Sequence, residues 1–258
     1  MASAKPAPGA SRMSDIARDH LAALNAGTAQ AKTLAEALAI DHRVLLVAAV
    51  PSASPELTAA VASAQELGIL KRMAAIGAAL SRRLSPEELV TLACHPSDTV
   101  RGWWCFAAAA NTSQAAAELL NALKPLADDE RFTVREWVWM AARPRLVADL
   151  PGAITLLAPW TADPSANVRR FASESLRPRG VWASHIAEFK SNPHLGESLL
   201  EPLRSDSSRY VQDSVANWIN DASKSAPEWA RQLCARWIGE SPTPETARIV
   251  KRALRSIV

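Results

Sequence analysis

The sequence has little of what several common protein classes require. Its three cysteines, Cys94, Cys105 and Cys234, are too few and too widely spaced for a disulfide framework or a zinc site. The longest strongly apolar run, residues 44–50, is far shorter than the roughly 20 residues of a membrane-spanning helix, and residues 1–12 have no apolar core of a signal peptide. These absences predict a cytoplasmic protein with no metal, no other cofactor and no membrane segment.

A charge excess of either sign is also missing. The 29 basic and 26 acidic residues give a formal net charge of +3 at pH 7, so no global basic field indicates a nucleic-acid partner. Arginine outnumbers lysine by 22 to 7, and arginine is the better donor for bidentate phosphate contacts. A high genomic GC content produces the same bias, and the composition alone leaves both explanations open.

Glycine is scarce, with nine residues, and no stretch alternates apolar and polar residues as a half-buried strand does. Alanine and leucine dominate instead. Prolines and groups of Asp, Ser and Asn interrupt the chain at short intervals, as in HPSD, ADDE, ADPS and RSDSS. The sequence therefore predicts an all-α protein built from short helices.

A recurring pattern follows these breaks, in the segments DTVRGWWCFAAAA, FTVREWVWMAARP, ANVRRFASESLRP and RYVQDSVANWIND. Its aligned valines are Val100, Val134, Val168 and Val211, at intervals of 34, 34 and 43 residues. A period of this size, with two helices in each unit, is typical of a HEAT-like α-solenoid. We expect a disordered tail over residues 1–13 and then a single repeat domain over residues 14–258, a curved right-handed superhelix with a concave face.

Each repeat helix has a polar face as well as a core face. Counted from the valine, positions 0, 3, 4, 7 and 8 form the apolar stripe, and positions 2, 6 and 10 share another face, one turn apart. The polar positions hold Glu136 in the second repeat, Arg170 and Glu174 in the third, and Asp213, Asn217 and Asp221 in the fourth. Because solenoid units stack side by side, these residues predict an acidic band, Glu136 to Asp221, threaded by Arg170. The alternative is a plain i, i+4 ion pair of Arg170 and Glu174 on a solvated helix, worth a few tenths of a kcal/mol.

Arginines flank the acidic band in the same segments. They are Arg135, Arg143 and Arg145 in the second repeat and Arg169, Arg177 and Arg179 in the third. The sequence Arg-Pro-Arg occurs twice in register, at the predicted ends of the two helices. Cations at helix C-termini are explained by the helix dipole, or these arginines form the rim of a groove that grips phosphates above an acidic floor.

Tryptophan is unusually frequent, with nine residues against one tyrosine. Trp103, Trp104, Trp137 and Trp218 fall at apolar repeat positions and are expected in the core, whereas Trp139 and Trp182 do not. Trp182 follows a break at residues 178–180, near the end of the acidic band. Its indole either faces a cationic or planar ligand or packs between repeats.

Three segments of the repeat region resemble a known protein family. The segments TVREWVW, NVRRFASESLRPRGVWASHI and SDSSRYVQDSVANWINDASKSAPEW resemble the AlkC branch of the bacterial HEAT-like DNA alkylation repair glycosylases, most densely between about residues 130 and 230. The resemblance implies a monofunctional glycosylase that removes cationic alkylated bases, typically 3-methyladenine, with 3-methylcytosine or 1-methyladenine as further substrates. It also implies that duplex DNA binds the concave face and that the lesion is not rotated into a pocket, unlike in most glycosylases.

The resemblance also implies roles for particular residues. Glu136, Glu174 and Asp221 match the acidic residues at the lesion, Trp182 the aromatic neighbour, and Arg170 the arginine of the RRxASE core. A methylated base is a cationic leaving group, and breaking its glycosidic bond builds oxocarbenium character on the sugar. Fixed carboxylates stabilise that charge and orient or deprotonate the attacking water, and surrounding arginines offset their repulsion of the DNA backbone and make binding salt-dependent. No lysine falls on the acidic band, which argues against a Schiff-base lyase.

Two other functions compete with this interpretation. A non-catalytic HEAT-like scaffold would bind DNA or a protein partner through the same face. A hydrolase or phosphoryl-transfer enzyme is poorly supported, because the sequence has no GxSxG, no GxxxxGK[ST] and no paired Cys/His arrangement. We expect a monomer that acts on double-stranded DNA.

Overall fold

The computed structural model describes residues 9–180 and 182–257. Within those residues the regular structure is helical and no strand occurs, as the sequence predicted. The α-helices are Arg18–Asn25 (α1), Leu34–Ala39 (α2), His42–Ala49 (α3), Pro55–Ala64 (α4), Ile69–Arg83 (α5), Pro86–Ala93 (α6), Asp98–Ala110 (α7), Ala116–Ala127 (α8), Phe132–Ala148 (α9), Leu150–Leu157 (α10), Ala166–Glu174 (α11), Ala187–Ser191 (α12), Glu197–Leu200 (α13), Arg209–Ser223 (α14), Pro227–Glu240 (α15) and Pro244–Ala253 (α16). Short 3-10 helices lie at Met13–Asp15, Ala158–Ala162, Pro193–Gly196 and Glu201–Leu203.

Residue contacts divide the chain into two units that are interleaved in sequence. The first comprises the chain up to Gln114 together with Glu130–Ala141, and the second comprises Ala115–Asp129 and the chain from Ala142 onward. The residues of α9 are thus shared between them, with 132–141 in the first and 142–148 in the second. The single repeat domain expected over residues 14–258 stays a prediction.

The first unit is built around α7, which packs against α5 and α6. Val100 and Trp103 are fully buried at the predicted core positions, and the indole N–H of Trp103 donates to Nδ1 of the buried His42 at 3.0 Å. Gly77 allows α5 to approach α7 closely, because a Cβ there would lie 2.4 Å from Cβ of Phe106. The apolar stripe of α7 therefore forms a core helix, as its sequence pattern predicted.

The second unit is built around α14, which packs against α11, α15 and α16. Val168, Phe171 and Ala172 of α11 are buried, and so are Val211 and Trp218 of α14. The two helices are also joined by the indole N–H of Trp218, which donates to the carbonyl of Leu176 at 3.0 Å. This packing fixes the register of α11 against α14 and places their polar residues side by side.

Helix pairs recur as the repeat predicted. The pattern-bearing helices are α7, α9, α11 and α14, and they are separated by α8, by α10, and by the short helices α12 and α13. After α14, α15 precedes the last helix, α16. The repeat also contains a structural clamp that the sequence analysis missed. The residue after each aligned valine donates back to carbonyls of the turn before its helix. The bonds run from Arg101 to His95 and Pro96, from Arg135 to Glu130, from Arg169 to Asp163 and Pro164, and from Gln212 to Asp206.

Three further sequence predictions concern the periphery. Residues 1–8 of the expected tail lie outside the described residues, but residues beyond them are held in place, because the amide of Ala10 donates to Oε1 of Glu36 at 2.8 Å. Trp104 was expected in the core and is only half-buried, beside an open groove of about 400 Å³ in the first unit. Among the helices described, none combines the length and the apolar character that crossing a membrane requires.

Candidate active site

Glu174 and Asp221 come together where α11 and α14 end. α11 begins at its cap, Ser165, whose hydroxyl accepts from the amide of Asn167 at 3.1 Å, and its last residue is Glu174. Asp221 lies in the last turn of α14. Because these two helices pack side by side, the two carboxylates project into the same space although 47 residues separate them in the sequence.

A single guanidinium bridges the two carboxylates. Arg177 donates from its Nη1 atom to Oε1 of Glu174 at 2.9 Å. Its Nε and Nη2 atoms donate to Oδ2 of Asp221 at 3.0 and 2.7 Å. The planar fork of arginine can hold two acceptors in a fixed geometry, which a lysine ammonium cannot do. Arg177 therefore fixes the distance and orientation of the two acids.

The remaining oxygens of both acids lie outside the contacts with Arg177. Oε2 of Glu174 accepts from the hydroxyl of Ser214 at 2.7 Å, and that hydroxyl also meets the hydroxyl of Ser173 at 2.8 Å. Oδ1 of Asp221 lies 3.6 Å from Nζ of Lys224. Each acid thus keeps one oxygen that is not bound by the bridging arginine.

A lysine therefore does lie at the acidic band, and the statement that none falls there was wrong. The predicted band contained only the polar positions 2, 6 and 10 of each repeat helix. Lys224 lies three residues beyond Asp221, at the C-terminal cap of α14. Residues three apart share one side of a helical turn, so its long side chain reaches back to the carboxylate.

The carboxylates are buried, whereas the sequence analysis placed the acidic band along one surface of the stacked repeats. Glu174 and Asp221 are each 4% exposed. A single polar face on one helix does not reveal that a neighbouring helix covers it, and here α11 and α14 cover each other's polar positions. The interpretation as a solvated ion pair of Arg170 and Glu174 is likewise wrong, because Arg170 is also buried, with its Nη2 atom 3.6 Å from Oε1 of Glu174.

Burial and charge act in opposite directions on Glu174. Burial alone would raise its pKa, but the charges of Arg170 and Arg177 and the hydrogen bonds from Ser214 and Arg177 together hold the pKa below its ordinary value of 4.5. Arg170 in turn stacks over the ring of Tyr210, with Cζ 4.4 Å from the ring centroid. The surroundings therefore keep Glu174 ionised at neutral pH.

The lowered pKa makes a prediction about stability. A carboxylate whose pKa is lower in the folded than in the unfolded state stabilises the fold fully above its unfolded-state pKa, and this contribution is lost as the pH falls through the folded-state pKa. We expect the free energy of unfolding of the wild type to drop more steeply below pH 4.5 than that of Glu174→Gln. Urea unfolding of both proteins between pH 7 and pH 3 measures the two slopes, and equal slopes would contradict the assignment.

Trp182 follows this cluster in an exposed and unusual conformation. Its side chain is 55% exposed, and its φ angle is +70°, in the left-handed region that a bulky residue rarely adopts. Such a conformation costs on the order of 1–3 kcal/mol and persists where the surroundings enforce it. Three residues earlier, Arg179 donates to the carbonyl of Asp221 at 3.1 Å and to the hydroxyl of Ser225 at 2.7 Å. The expectation that Trp182 faces outward fits this geometry better than packing between repeats.

Glu136 belongs to the first unit, on α9. Its Oε2 atom accepts from the indole N–H of Trp139 at 2.8 Å, and Trp139 is buried although it stands outside the predicted core positions. The buried indole thus has its hydrogen-bond partner, as buried tryptophans normally do. The acid is half-buried, and its role at the lesion stays a prediction.

Several arginines that were predicted to grip phosphates have internal partners. Arg135 and Arg169 form the turn clamps described above, and Arg169 also makes a two-point ion pair with Asp206 at 2.6 and 3.0 Å. Arg143 and Arg177 are buried, at 4% and 8% exposure, and make hydrogen bonds within the protein; phosphate contact by either stays a prediction. The sequence shows where a cation stands but not which carbonyl or carboxylate lies opposite it. Arg145, half-buried, and Arg170 keep their predicted roles as expectations only.

The sequence analysis also missed a row of cations that runs along α16 and ends at Arg255, two residues beyond the helix. Arg248 and Arg252 contact Oδ1 of Asp213 at 2.7 and 3.0 Å, and the exposed Arg255 donates to the side-chain oxygen of Asn217 at 2.9 Å. The row therefore lies against the outer part of the predicted acidic band. The arginines of ARIVKRALR are spaced at about one helical turn, and this spacing is visible in the sequence. The row was missed because the recurring pattern was aligned only as far as α14.

The fold has counterparts among proteins of known structure. Among solved structures, the chain is similar to the alkylpurine DNA glycosylase AlkC of Pseudomonas fluorescens bound to DNA with an abasic-site analogue, at 26% identity and a TM-score of 0.66 over 96% of this chain and 65% of that one. It also shares its fold with AlkD2 of Streptococcus mutans, at 20% identity and a TM-score of 0.61 over 77% of this chain and 98% of that one. The chain therefore has the all-helical repeat fold of these proteins, and the likeness to AlkC supports the resemblance that the sequence motifs indicated.

The remaining comparisons are less informative about function. No model of a known protein family matches the chain. Among curated proteins, it is similar to the uncharacterized protein YhaZ of Bacillus subtilis strain 168, at 39% identity over 129 residues, which are 50% of this chain. The chain spans 36% of the length of YhaZ and 65% of that of AlkC.

Proposed function

We propose that this protein is a monofunctional DNA glycosylase that hydrolyses the N-glycosidic bond of cationic alkylated bases in duplex DNA. It acts in the cytoplasm as a monomer, with 3-methyladenine as its main substrate. The observation that carries the proposal is the bridge from Glu174 through Arg177 to Asp221. The exposed Trp182 follows Arg177 by five residues in the sequence. The likeness to AlkC over 96% of this chain supports it.

The proposed chemistry uses fixed negative charge. As the bond to a cationic base breaks, the sugar gains oxocarbenium character, and preorganised carboxylates stabilise that charge without having to reorganise. An opposite charge about 4 Å away contributes on the order of 4 kcal/mol at an effective dielectric of about 20, against about 1 kcal/mol in water. Oε2 of Glu174 and Oδ1 of Asp221 are the oxygens proposed for this role, because Arg177 binds the other two.

Trp182 is proposed to contact the lesion. A methylated base is planar and cationic. An indole face can stack on a planar ring and attracts a cation through its π electrons. The side chain is the exposed tryptophan of the segment that follows Arg177. Glu136, in the first unit, stays a candidate through the resemblance alone.

The direct test is the release of free base from methylated duplex DNA. Wild-type protein is incubated with duplex treated with a methylating agent and with untreated duplex, and released bases are identified by mass spectrometry. The proposal expects free 3-methyladenine from the treated duplex only. Duplex binding without any release would contradict it and favour the non-catalytic scaffold.

The same reaction tests whether the enzyme is monofunctional. A hydrolytic glycosylase leaves an intact abasic strand that breaks only after alkali, and borohydride traps no protein on it. Lys224 is the candidate amine for a Schiff base, because its Nζ atom lies 3.6 Å from Oδ1 of Asp221. Strand cleavage without alkali, together with trapping that Lys224→Gln abolishes, would replace the proposed hydrolysis by a Schiff-base mechanism.

DNA contact is proposed for the row of cations formed by Arg248, Arg252 and Arg255. We expect Arg255→Gln to weaken binding to an abasic duplex and to lower the slope of log affinity against log salt by about 1, the value for one phosphate contact. Arg231→Gln, an exposed arginine on α15 paired with Glu228, is the matched control and should leave the slope unchanged. Fluorescence anisotropy between 50 and 200 mM salt (about the range over which such contacts are resolved) measures both, and equal slopes in the two variants would contradict the contact.

A further inference from the structure

Arg143 has an unusual environment for an arginine. It stands on α9 and is 4% exposed. Its Nη1 atom donates to the carbonyl of Ser175 at 2.8 Å, and its Nη2 atom donates to the carbonyls of Arg177 and Ser184 at 2.7 and 3.0 Å. Its hydrogen bonds thus go to three backbone carbonyls of one segment, which follows α11. A buried charge is expensive, so this position calls for a reason.

Burial affects the protonation of Arg143 but does not discharge it. Burial and the neighbouring charge of Arg177 lower its pKa to about 10, while Glu174 and Asp221 act in the opposite direction. The guanidinium is therefore still a cation at neutral pH. A cation that donates to carbonyls makes stronger hydrogen bonds than a neutral donor would.

The carbonyls that Arg143 binds lie on both sides of Trp182. We define the Trp182 loop as residues 178–180 and 182–186. Its ends are joined by the amide of Ile186, which donates to the carbonyl of Pro178 at 3.0 Å. Arg143 binds Arg177 just before the loop and Ser184 within it, so one side chain joins the two flanks.

The two halves of the loop have different contacts within the second unit. Arg179 fastens the first half to the end of α14 through the carbonyl of Asp221. In the second half, the amide of Ala183 donates to the carbonyl of Gly180 at 3.2 Å, within the loop itself. Within residues 182–186, Ile186 is buried, and Arg143 on α9 adds a side-chain hydrogen bond from another helix at Ser184.

We propose that Arg143 is a positioning residue that holds the Trp182 loop closed, so that the strained Trp182 presents its indole in one place. The proposal rests on the proposed glycosylase function for its catalytic consequence. In this role Arg143 acts through the loop and contacts neither DNA nor base. Its fork of donors spans carbonyls that a lysine ammonium, as a point charge, cannot reach together.

Arg143→Lys is the test variant, because it keeps the charge and removes the three-point contact. Arg231→Lys, on the exposed face of α15, is the matched control. The first measurement is amide hydrogen exchange at Ala183 and Ile186, compared with α14 in the same molecule. The proposal expects about a tenfold or greater acceleration in the loop with α14 unchanged. Unchanged loop exchange would overturn the proposal, and acceleration throughout α14 would show global destabilisation and overturn it as well.

The second measurement is a double-mutant cycle on single-turnover base release. Arg143→Lys should lower the rate about tenfold and change affinity for an abasic duplex less than about twofold. In a Trp182→Ala background the same substitution should have no further effect, because its action passes through Trp182. Losses that multiply would mean that Arg143 acts elsewhere and would overturn the proposal. A wild type that releases no base would overturn the proposed function, and the exchange measurement would still decide whether Arg143 holds the loop.

Discussion

Glu174→Gln is expected to lower the rate of base release by about 10²–10³, the usual loss when one preorganised electrostatic group is removed. Glutamine has nearly the same shape, and its amide oxygen can still accept from Arg177 or Ser214. The substitution removes the negative charge and leaves the packing. The rate is measured in single-turnover release of 3-methyladenine from methylated duplex.

Binding must be measured on the same variant, because a DNA contact and a catalytic group make different predictions. Affinity for an abasic duplex should be unchanged or higher, since a carboxylate that repels the phosphate backbone has been neutralised. Glu188→Gln, an exposed acid on α12, is the control and should keep the wild-type rate. A Glu174→Gln protein as fast as the wild type would remove Glu174 from the chemistry.

Arg177→Met is expected to destabilise the fold by about 3–5 kcal/mol, the range for removing one partner of a buried ion pair. Arg177 is the bridge between Glu174 and Asp221. Without its charge, the two buried carboxylates would lose the cation that they share, and only Arg170 and Lys224, each 3.6 Å away, would remain beside them. Urea unfolding at pH 7 measures the loss of free energy.

The control for this prediction is an arginine with an exposed ion pair. Arg231 lies 3.7 Å from Glu228, with both side chains more than half exposed, and exposed pairs of this kind contribute about 0–1 kcal/mol. Arg231→Met should therefore change stability by less than about 1 kcal/mol. A similarly small change in Arg177→Met would mean that water already screens the carboxylates.

Much of the fold could be predicted from periodicity. The valines Val100, Val134, Val168 and Val211 are all buried at the first core position of their helices. The longer last interval, 43 residues against 34, accommodates the Trp182 loop and the short helices α12 and α13. Helical spacing determines which residues share a face of one helix, and that information was sufficient to select Glu174 and Asp221 together.

Burial of the site could not be predicted in the same way. Whether the face with Glu174 meets water or another helix depends on how α11 packs on α14, which is a property of tertiary structure. The arginines show the same limit. Arg135 and Arg169 stand at one repeat position because they clamp the turn before the helix, and recurrence at a fixed position was a signal for that structural role. Arg143 had no such signal, since its carbonyl partners lie 32–41 residues away.

The central claim is that the ionised, buried Glu174 drives release of a cationic base. The pH dependence of wild-type single-turnover release tests this claim most directly. The pKa of Glu174 lies below its ordinary value of 4.5, so Glu174 stays ionised throughout the neutral range. The account predicts a rate well above spontaneous loss that is flat between about pH 5.5 and 8, since an apparent pKa in a pH–rate profile reports an essential group that titrates. A rate no higher than spontaneous loss, or one that changes tenfold per pH unit across that range, would contradict it.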